Sequence, residues 1–375
     1  MNAGRKRPRM LLVFGDVFAN GGIQRFNRTF LAALAALDVP CDVLSLNDTP
    51  ASIERVPSPA NARILGFSGD RLRFSLATLR AIWRHRYEWI LIGHINFLPM
   101  TIAARISRPF PRSKTILVAH GIEVWYGISS VGRRALKRTD SILCVSNYTR
   151  RRMLEQVPGL QAERLQIFPN ALSDTWTAGI REPVGRDTPQ RFILSVTRLE
   201  KGDRYKGIVT VIEALSALAD SSLEYVVVGQ GNDATFLKGV ATRCGVADRV
   251  HFLSDISDSE MVRLYEKCAA FVLPSGKEGF GIVFLEAMFF GAPVIAAAEK
   301  GALDVVRDEE TGLLVRFGDS MAIRLAIERL LGDPELRERL CRHGRATVVG
   351  DGAFTFSRFV ARSAQVLDFR GATAG

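Results

Sequence analysis

Residues Ala269 to Leu273, AAFVL, are wholly apolar and run into Pro274, so they read as a short strand buried on both faces, as in parallel sheets. A polar loop bearing glycines follows, then an apolar helix from about Gly281 to Phe290 and a second strand at Pro293 to Ala296. Two carboxylates interrupt this apolar surrounding. Glu278 stands in the loop, and Glu286 falls inside the helix between Phe284, Leu285, Ala287 and Met288. A carboxylate removed from water costs several kcal/mol unless something meets it. A ligand rich in hydroxyls would suit both, and the helix start at Gly279-Phe280-Gly281 would suit a phosphate. The plainer reading is a pair of helix-start acids, one favouring the dipole and one bonded to a neighbour. Two acids with this glycine spacing favour the ligand.

The same alternation governs the rest of the chain. Met10 to Gly15, Cys41 to Leu46, Ala62 to Phe67, Trp89 to Ile92, Thr115 to Ala119 and Ser141 to Val145 read as strands with helical patterns between them. Ser173 to Gln190 is polar and rich in Gly and Pro, an expected interdomain linker. The alternation then restarts with Phe192 to Val196 and ends in a helix over Phe354 to Leu367. A chain of 375 residues is too long for one ordinary core. We therefore expect domains at 1–178 and 190–350, with 351–375 a helix returning to the first.

Gly21-Gly22 lies between the first strand and a helix over Ile23 to Leu37, where backbone N–H groups can approach a ligand closely. His120-Gly121 closes a strand, the place where open α/β sheets put ligand-contacting residues. In TRLEKGDRYKG, Arg198 and Lys206 could clamp a diphosphate, and Lys201 and Arg204 are competing candidates on spacing alone. The five cysteines are scattered with no C-x-x-C, against a zinc site or a disulfide framework.

Glu278 and Glu286, with seven residues between them in EGFGIVFLEAM, resemble the E-x7-E signature of retaining glycosyltransferases of family 4. GGIQR, His120-Gly121, Pro169-Asn170-Ala171, Arg198 with Lys206-Gly207, and the VGQG closing at Gly231 resemble the same family's motifs, Ala171 replacing a glycine. The resemblance implies an α/β GT-B fold, two Rossmann-like domains with parallel sheets facing a cleft. It implies a metal-independent hexosyltransferase that takes its sugar from a nucleotide diphosphate sugar, with no other cofactor. Arg198 and Lys206 would stabilise the leaving diphosphate, helped by helix starts at Gly21-Gly22 and at Gly279, Phe280 and Gly281. Glu286 would hold the ribose, Glu278 the transferred sugar, and His120 would approach that sugar from the other domain. No D-x-D metal motif occurs.

GGIQRFN, HGIEVW and DRYKG look most like bacterial exopolysaccharide and lipopolysaccharide mannosyltransferases using GDP-mannose. A UDP-sugar hexosyltransferase, a GT-B epimerase and a non-catalytic nucleotide-sugar-binding protein are the alternatives. Charge adds a location. Met1 to Ala178 holds 25 Lys and Arg against 12 Asp and Glu, a net of +13, and the remainder holds 25 against 27, a net of −2. The helical pattern Arg71 to Arg86 and the groups Arg133, Arg134, Lys137, Arg138 and Arg150 to Arg152 carry much of this excess. An anionic membrane surface and a lipid-linked saccharide acceptor are the partners expected, and no nucleic-acid module is recognisable. The expected location is cytoplasmic, peripheral on the inner face of the cytoplasmic membrane.

Overall fold

A computed structural model describes residues 9–19, 21–54, 59–107, 113–172, 191–350 and 353–368. The expected linker at 173–190 lies outside these residues. The chain divides into two compact units, Met1–Asn170 with Phe356–Gly375, and Ala171–Thr355. Each is built on one all-parallel sheet.

In the first unit the order along the chain is β1 (Met10–Phe14), α1 (Gly22–Ala36), β2 (Cys41–Ser45), α2 (Pro50–Glu54), β3 (Ala62–Gly66) and α3 (Arg71–Arg84). There follow β4 (Trp89–Ile92), α4 (Leu98–Ile106), β5 (Lys114–Ala119), α5 (Ile122–Trp125), α6 (Ser130–Leu136), β6 (Ser141–Cys144), α7 (Asn147–Gln156) and β7 (Leu165–Ile167). The strands align as β3-β2-β1-β4-β5-β6-β7. MLLVF of β1 and WILI of β4 are buried at every position, as strands covered on both faces must be. Strand β3, at an edge, alternates between exposed and half-buried positions.

Helix α7 begins where Ser146 Oγ accepts the Thr149 N–H at 3.1 Å, a cap worth about 1 kcal/mol. Helix α3 buries Phe74, Thr78 and Ile82, one face at helical spacing, and leaves Leu72, Leu76 and Trp83 more than half exposed. The buried face is narrow, so an apolar stripe remains in solvent beside Arg73, Arg80 and Arg84.

The second unit contains β8 (Phe192–Val196), α8 (Ile208–Ser216), β9 (Glu224–Val228), α9 (Ala234–Arg243), β10 (Val250–Leu253), α10 (Asp258–Lys267) and β11 (Ala270–Leu273). It continues through α11 (Ile282–Phe289), β12 (Val294–Ala297), β13 (Leu313–Val315), α12 (Ser320–Gly332) and α13 (Pro334–Val349). Its strand order is β10-β9-β8-β11-β12-β13. Helix α10 starts in a complete capping box between Ser257 and Glu260.

The last helix, α14 (Phe356–Val366), belongs to the first unit and packs on α1. Its Phe359 is fully buried, with ring centroids 5.6 Å from Phe26, 6.2 Å from Phe30 and 4.9 Å from Phe168. Burying such a ring contributes roughly 2–3 kcal/mol.

Candidate active site

Strand β8 continues the second sheet toward β9, whereas β11 continues it toward β12, so their connections leave on opposite sides. A crevice opens at the carboxyl ends of two such strands, the place where doubly wound folds bind ligands. The loop after β8 carries Arg198 and a 3-10 turn over Lys201–Lys206, and the loop after β11 carries Pro274 to Gly281. Gly207 joins them. It has φ 79°, and a Cβ there would stand 2.7 Å from the Pro274 carbonyl oxygen. Only glycine lets the two loops approach this closely, and the Gly276 N–H then donates to the Tyr205 carbonyl at 2.7 Å.

That approach brings two of the expected charges together. Lys206 Nζ donates to Glu278 Oε2 at 2.7 Å, and the side chains are only 15% and 13% exposed. Arg198 is 63% exposed, with Nη2 3.1 Å from an Asp203 oxygen. Tyr205 donates its hydroxyl to the same Asp203 at 2.8 Å, and burial followed by that bond pushes the phenol pKa up. Lys206 is thus largely enclosed, whereas Arg198 is not.

The two competing cations separate. Arg204 forms a fork on Asp233, at 2.8 and 2.7 Å, and lies 3.7 Å above the Phe236 ring centroid. That hydrogen bonding holds the Asp233 carboxyl below the usual range. Arg204 is therefore a pin for the loop. Lys201 uses its backbone N–H on Asn232 at 3.1 Å, while its side chain stays exposed.

Gly281, with φ 89°, starts α11, where a Cβ would meet the Phe284 ring at 2.4 Å. Gly279 is half-buried beside it, and Phe280 is buried against Phe354, so only the Phe280 backbone is available to a ligand. Glu286 has no exposed surface, and Tyr265 donates its hydroxyl to Glu286 Oε2 at 2.8 Å. This is the enclosed setting expected for Glu286 from its apolar neighbours.

In the first unit the corresponding divergence lies between β1 and β4. Gly21, with φ 150°, precedes α1, and Gly22 is its first residue. His120, at the end of β5, is buried with its ring edge-on to Phe26. Desolvation, then the charge of His94, lowers its pKa to about 3, against a hydrogen bond to the Gly93 backbone. The imidazole is neutral at physiological pH. Among the described residues Nε2 has no hydrogen-bond partner, so the Gly93 bond uses Nδ1–H and leaves Nε2 as an acceptor. Glu123 accepts the His120 and Gly121 N–H groups at 2.6 and 3.1 Å and fixes this turn.

Sequence reasoning missed four groups near these sites. Asp203 and Tyr205 lie inside the motif already singled out. Lys300, after β12, donates to the Gly276 carbonyl and to Glu299. His94, after β4, has its pKa lowered by burial. Position at a strand end was the available signal for the last two.

A family model described as Glycosyltransferase Family 4 matches residues 20–175, and one described as Glycosyl transferases group 1 matches residues 178–347. Among curated proteins, a GDP-mannose-dependent alpha-(1-6)-phosphatidylinositol monomannoside mannosyltransferase of Mycobacterium tuberculosis is 30% identical over 291 residues, 71% of this chain and 72% of that protein. The lipopolysaccharide core biosynthesis glycosyltransferase LpsE of Rhizobium meliloti is 35% identical over 145 residues, 39% of this chain and 42% of that one. Among solved structures, Anabaena HepE in complex with UDP and glucose superposes with a TM-score of 0.78 at 18% identity, over 97% of this chain and 100% of that one. At that identity the likeness establishes the fold.

Proposed function

Because this chain belongs to glycosyltransferase family 4 and has the GT-B fold, we propose that it is a retaining mannosyltransferase taking mannose from GDP-mannose. The acceptor in this reading is a lipid-linked or other saccharide of bacterial surface polysaccharide. The observation that carries the donor-site reading is the Lys206–Glu278 pair, at 2.7 Å in the β8–β11 crevice with Arg198 beside it. Without ligand the ammonium and carboxylate neutralise each other, which keeps two enclosed charges tolerable. A nucleotide diphosphate gives Lys206 and Arg198 new acceptors and frees Glu278 to receive sugar hydroxyls. The N–H groups at Gly279 to Gly281 add a dipole aimed at phosphate.

The leaving diphosphate is stabilised in this reading by fixed cations, so the reaction proceeds without a metal. Glu286 holds the ribose hydroxyls in this reading, with the Tyr265 hydroxyl orienting its carboxylate. The 30% identity to a GDP-mannose-dependent mannosyltransferase supports mannose and GDP.

Among the described residues no helix is long and apolar enough to cross a membrane. Leu72, Leu76 and Trp83 on α3, next to Arg73, Arg80 and Arg84, support contact with an anionic bilayer at the cytoplasmic face. Aromatic and basic side chains suit that interface.

The test is a thermal-shift panel of GDP-, UDP- and ADP-sugars, followed by hydrolysis with the best binder and NMR of the transferred anomer. Stabilisation by GDP-mannose and an α-linked product are expected. Stabilisation by UDP-sugars alone would move the donor assignment. Inversion of the anomeric centre would refute the retaining reaction.

A further inference from the structure

Helix α6 and the Lys137 that caps its end place Ser130, Arg133, Arg134 and Lys137 along one side of an open cavity of about 560 Å³, closed opposite by Glu155 in α7 and Pro158 just after it. Helix α6 leads into the amino end of β6, and the end of α7 leads toward the amino end of β7. The cavity therefore lies toward the sheet edge opposite His120, which follows the carboxyl end of β5.

Most other arginines near this face are committed. Arg105 pairs with Asp140, Arg150 donates to the Leu165 and Ala162 carbonyls, and Arg152 pairs with Glu155. Arg164 donates to the Lys137 and Thr139 carbonyls at 3.0 and 3.1 Å, so the carbonyls at the end of α6 already have a cation. Among the described residues, Arg133, Arg134 and Lys137 form no ion pair and no side-chain hydrogen bond. Glu155, the acid on the wall, is turned to Arg152 and lies 3.9 Å from Arg151. Lys137 is held over Gly159, its Nζ 3.4 Å from where a Cβ would stand.

Like charges one turn apart on a helix repel by a few tenths of a kcal/mol, so this arrangement gains nothing for folding. We infer that the α6–α7 cavity is a second anion site, taking a phosphate-bearing group on Arg133, Arg134 and Lys137. Two guanidinium forks and an ammonium match a phosphate with two negative charges, and the volume admits a headgroup larger than phosphate alone. The group is a lipid phosphate or diphosphate, or a free phosphorylated solute.

Hydrogen exchange read by mass spectrometry separates this site from the β8–β11 crevice by position along the chain. Millimolar inorganic pyrophosphate, or vesicles of phosphatidylglycerol, should slow exchange in the peptides covering 130–137 and 155–159. Protection by pyrophosphate identifies a soluble phosphate as sufficient. Protection by phosphatidylglycerol vesicles, and by neither pyrophosphate nor phosphatidylcholine vesicles, identifies a lipid headgroup. Arg133→Ala with Lys137→Ala should weaken binding about 100-fold, roughly tenfold for each charge-assisted hydrogen bond. Melting temperature and donor-sugar hydrolysis should stay at wild-type values. No protection at 130–137 with any probe, or protection unchanged in the double variant, would overturn the site.

Discussion

Replacing Lys206 by alanine should damage both stability and catalysis, whereas Arg198→Ala should damage catalysis alone. At 2.7 Å and an effective dielectric of about 20, the gross attraction between Lys206 and Glu278 is about 4–6 kcal/mol. Desolvation offsets much of it. Removing one partner of a fully buried pair costs roughly 3–5 kcal/mol, because the other charge is stranded. With 13% of Glu278 still exposed, about 2 kcal/mol is the expected loss, a fall in Tm of about 4–8 °C for a unit of this size. Arg198 is 63% exposed, so its removal should leave Tm unchanged. Either substitution should lower kcat/KM at least ~100-fold, the loss of about 2.7 kcal/mol of charge stabilisation. Lys206→Ala combined with Glu278→Ala removes the stranded charge, so it should recover stability while remaining inactive. Differential scanning calorimetry beside donor-hydrolysis kinetics reads both effects. If Lys206→Ala melts with the wild type, or the double variant melts no higher than the single one, the pair does not hold the loops as argued.

Three further outcomes are expected. His120 protonates near pH 6.5 when unfolded but only at about 3 when folded, so its contribution is complete above 6.5 and lost as pH falls toward 3, by up to ~1.4 kcal/mol per unit. His120→Gln should therefore flatten the decline of Tm between those values, and equal slopes would refute the buried neutral imidazole. Sugar transfer should survive EDTA, since Arg198 and Lys206 supply the positive charge; loss restored by Mg²⁺ or Mn²⁺ would show the phosphate site to be misread. The protein should co-sediment with anionic but not neutral liposomes, in a salt-sensitive way, each cation contributing ~1 kcal/mol. Charge reversal at Arg80 and Arg84 should weaken that binding and spare donor hydrolysis, and indifference of the wild type to anionic vesicles would remove α3 from the membrane reading.

Strands were the most legible elements, because MLLVF, WILI and AFVL are buried on both faces and read as unbroken apolar runs. Strand β7 escaped notice because only Leu165 of LQI is buried, leaving no pattern to read. In α3 the ambiguity was rotational. Leu76 and Trp83 looked as fit for the sheet as Phe74 and Ile82, and packing alone selected the latter face. The candidate donor residues were individually visible as motif positions. Their pairing was not, since 72 residues separate Lys206 from Glu278 and the meeting depends on β8 lying beside β11. The burial of Glu286 was legible from its apolar neighbours, but its partner Tyr265 was not, being carried on another helix.

Helix α14 has a consequence for how this protein is made. As the chain leaves the ribosome, Ala171–Thr355 can close on itself as soon as it is complete. The unit begun first must wait, because Phe26, Phe30 and Phe168 gain Phe359 only after the whole of the other unit has been synthesised. Until then, among the described residues, Phe26, Phe30 and Phe168 have only one another and His120 as ring partners. A stop codon just before residue 356 would leave every crevice residue translated, and would still yield a protein prone to aggregate.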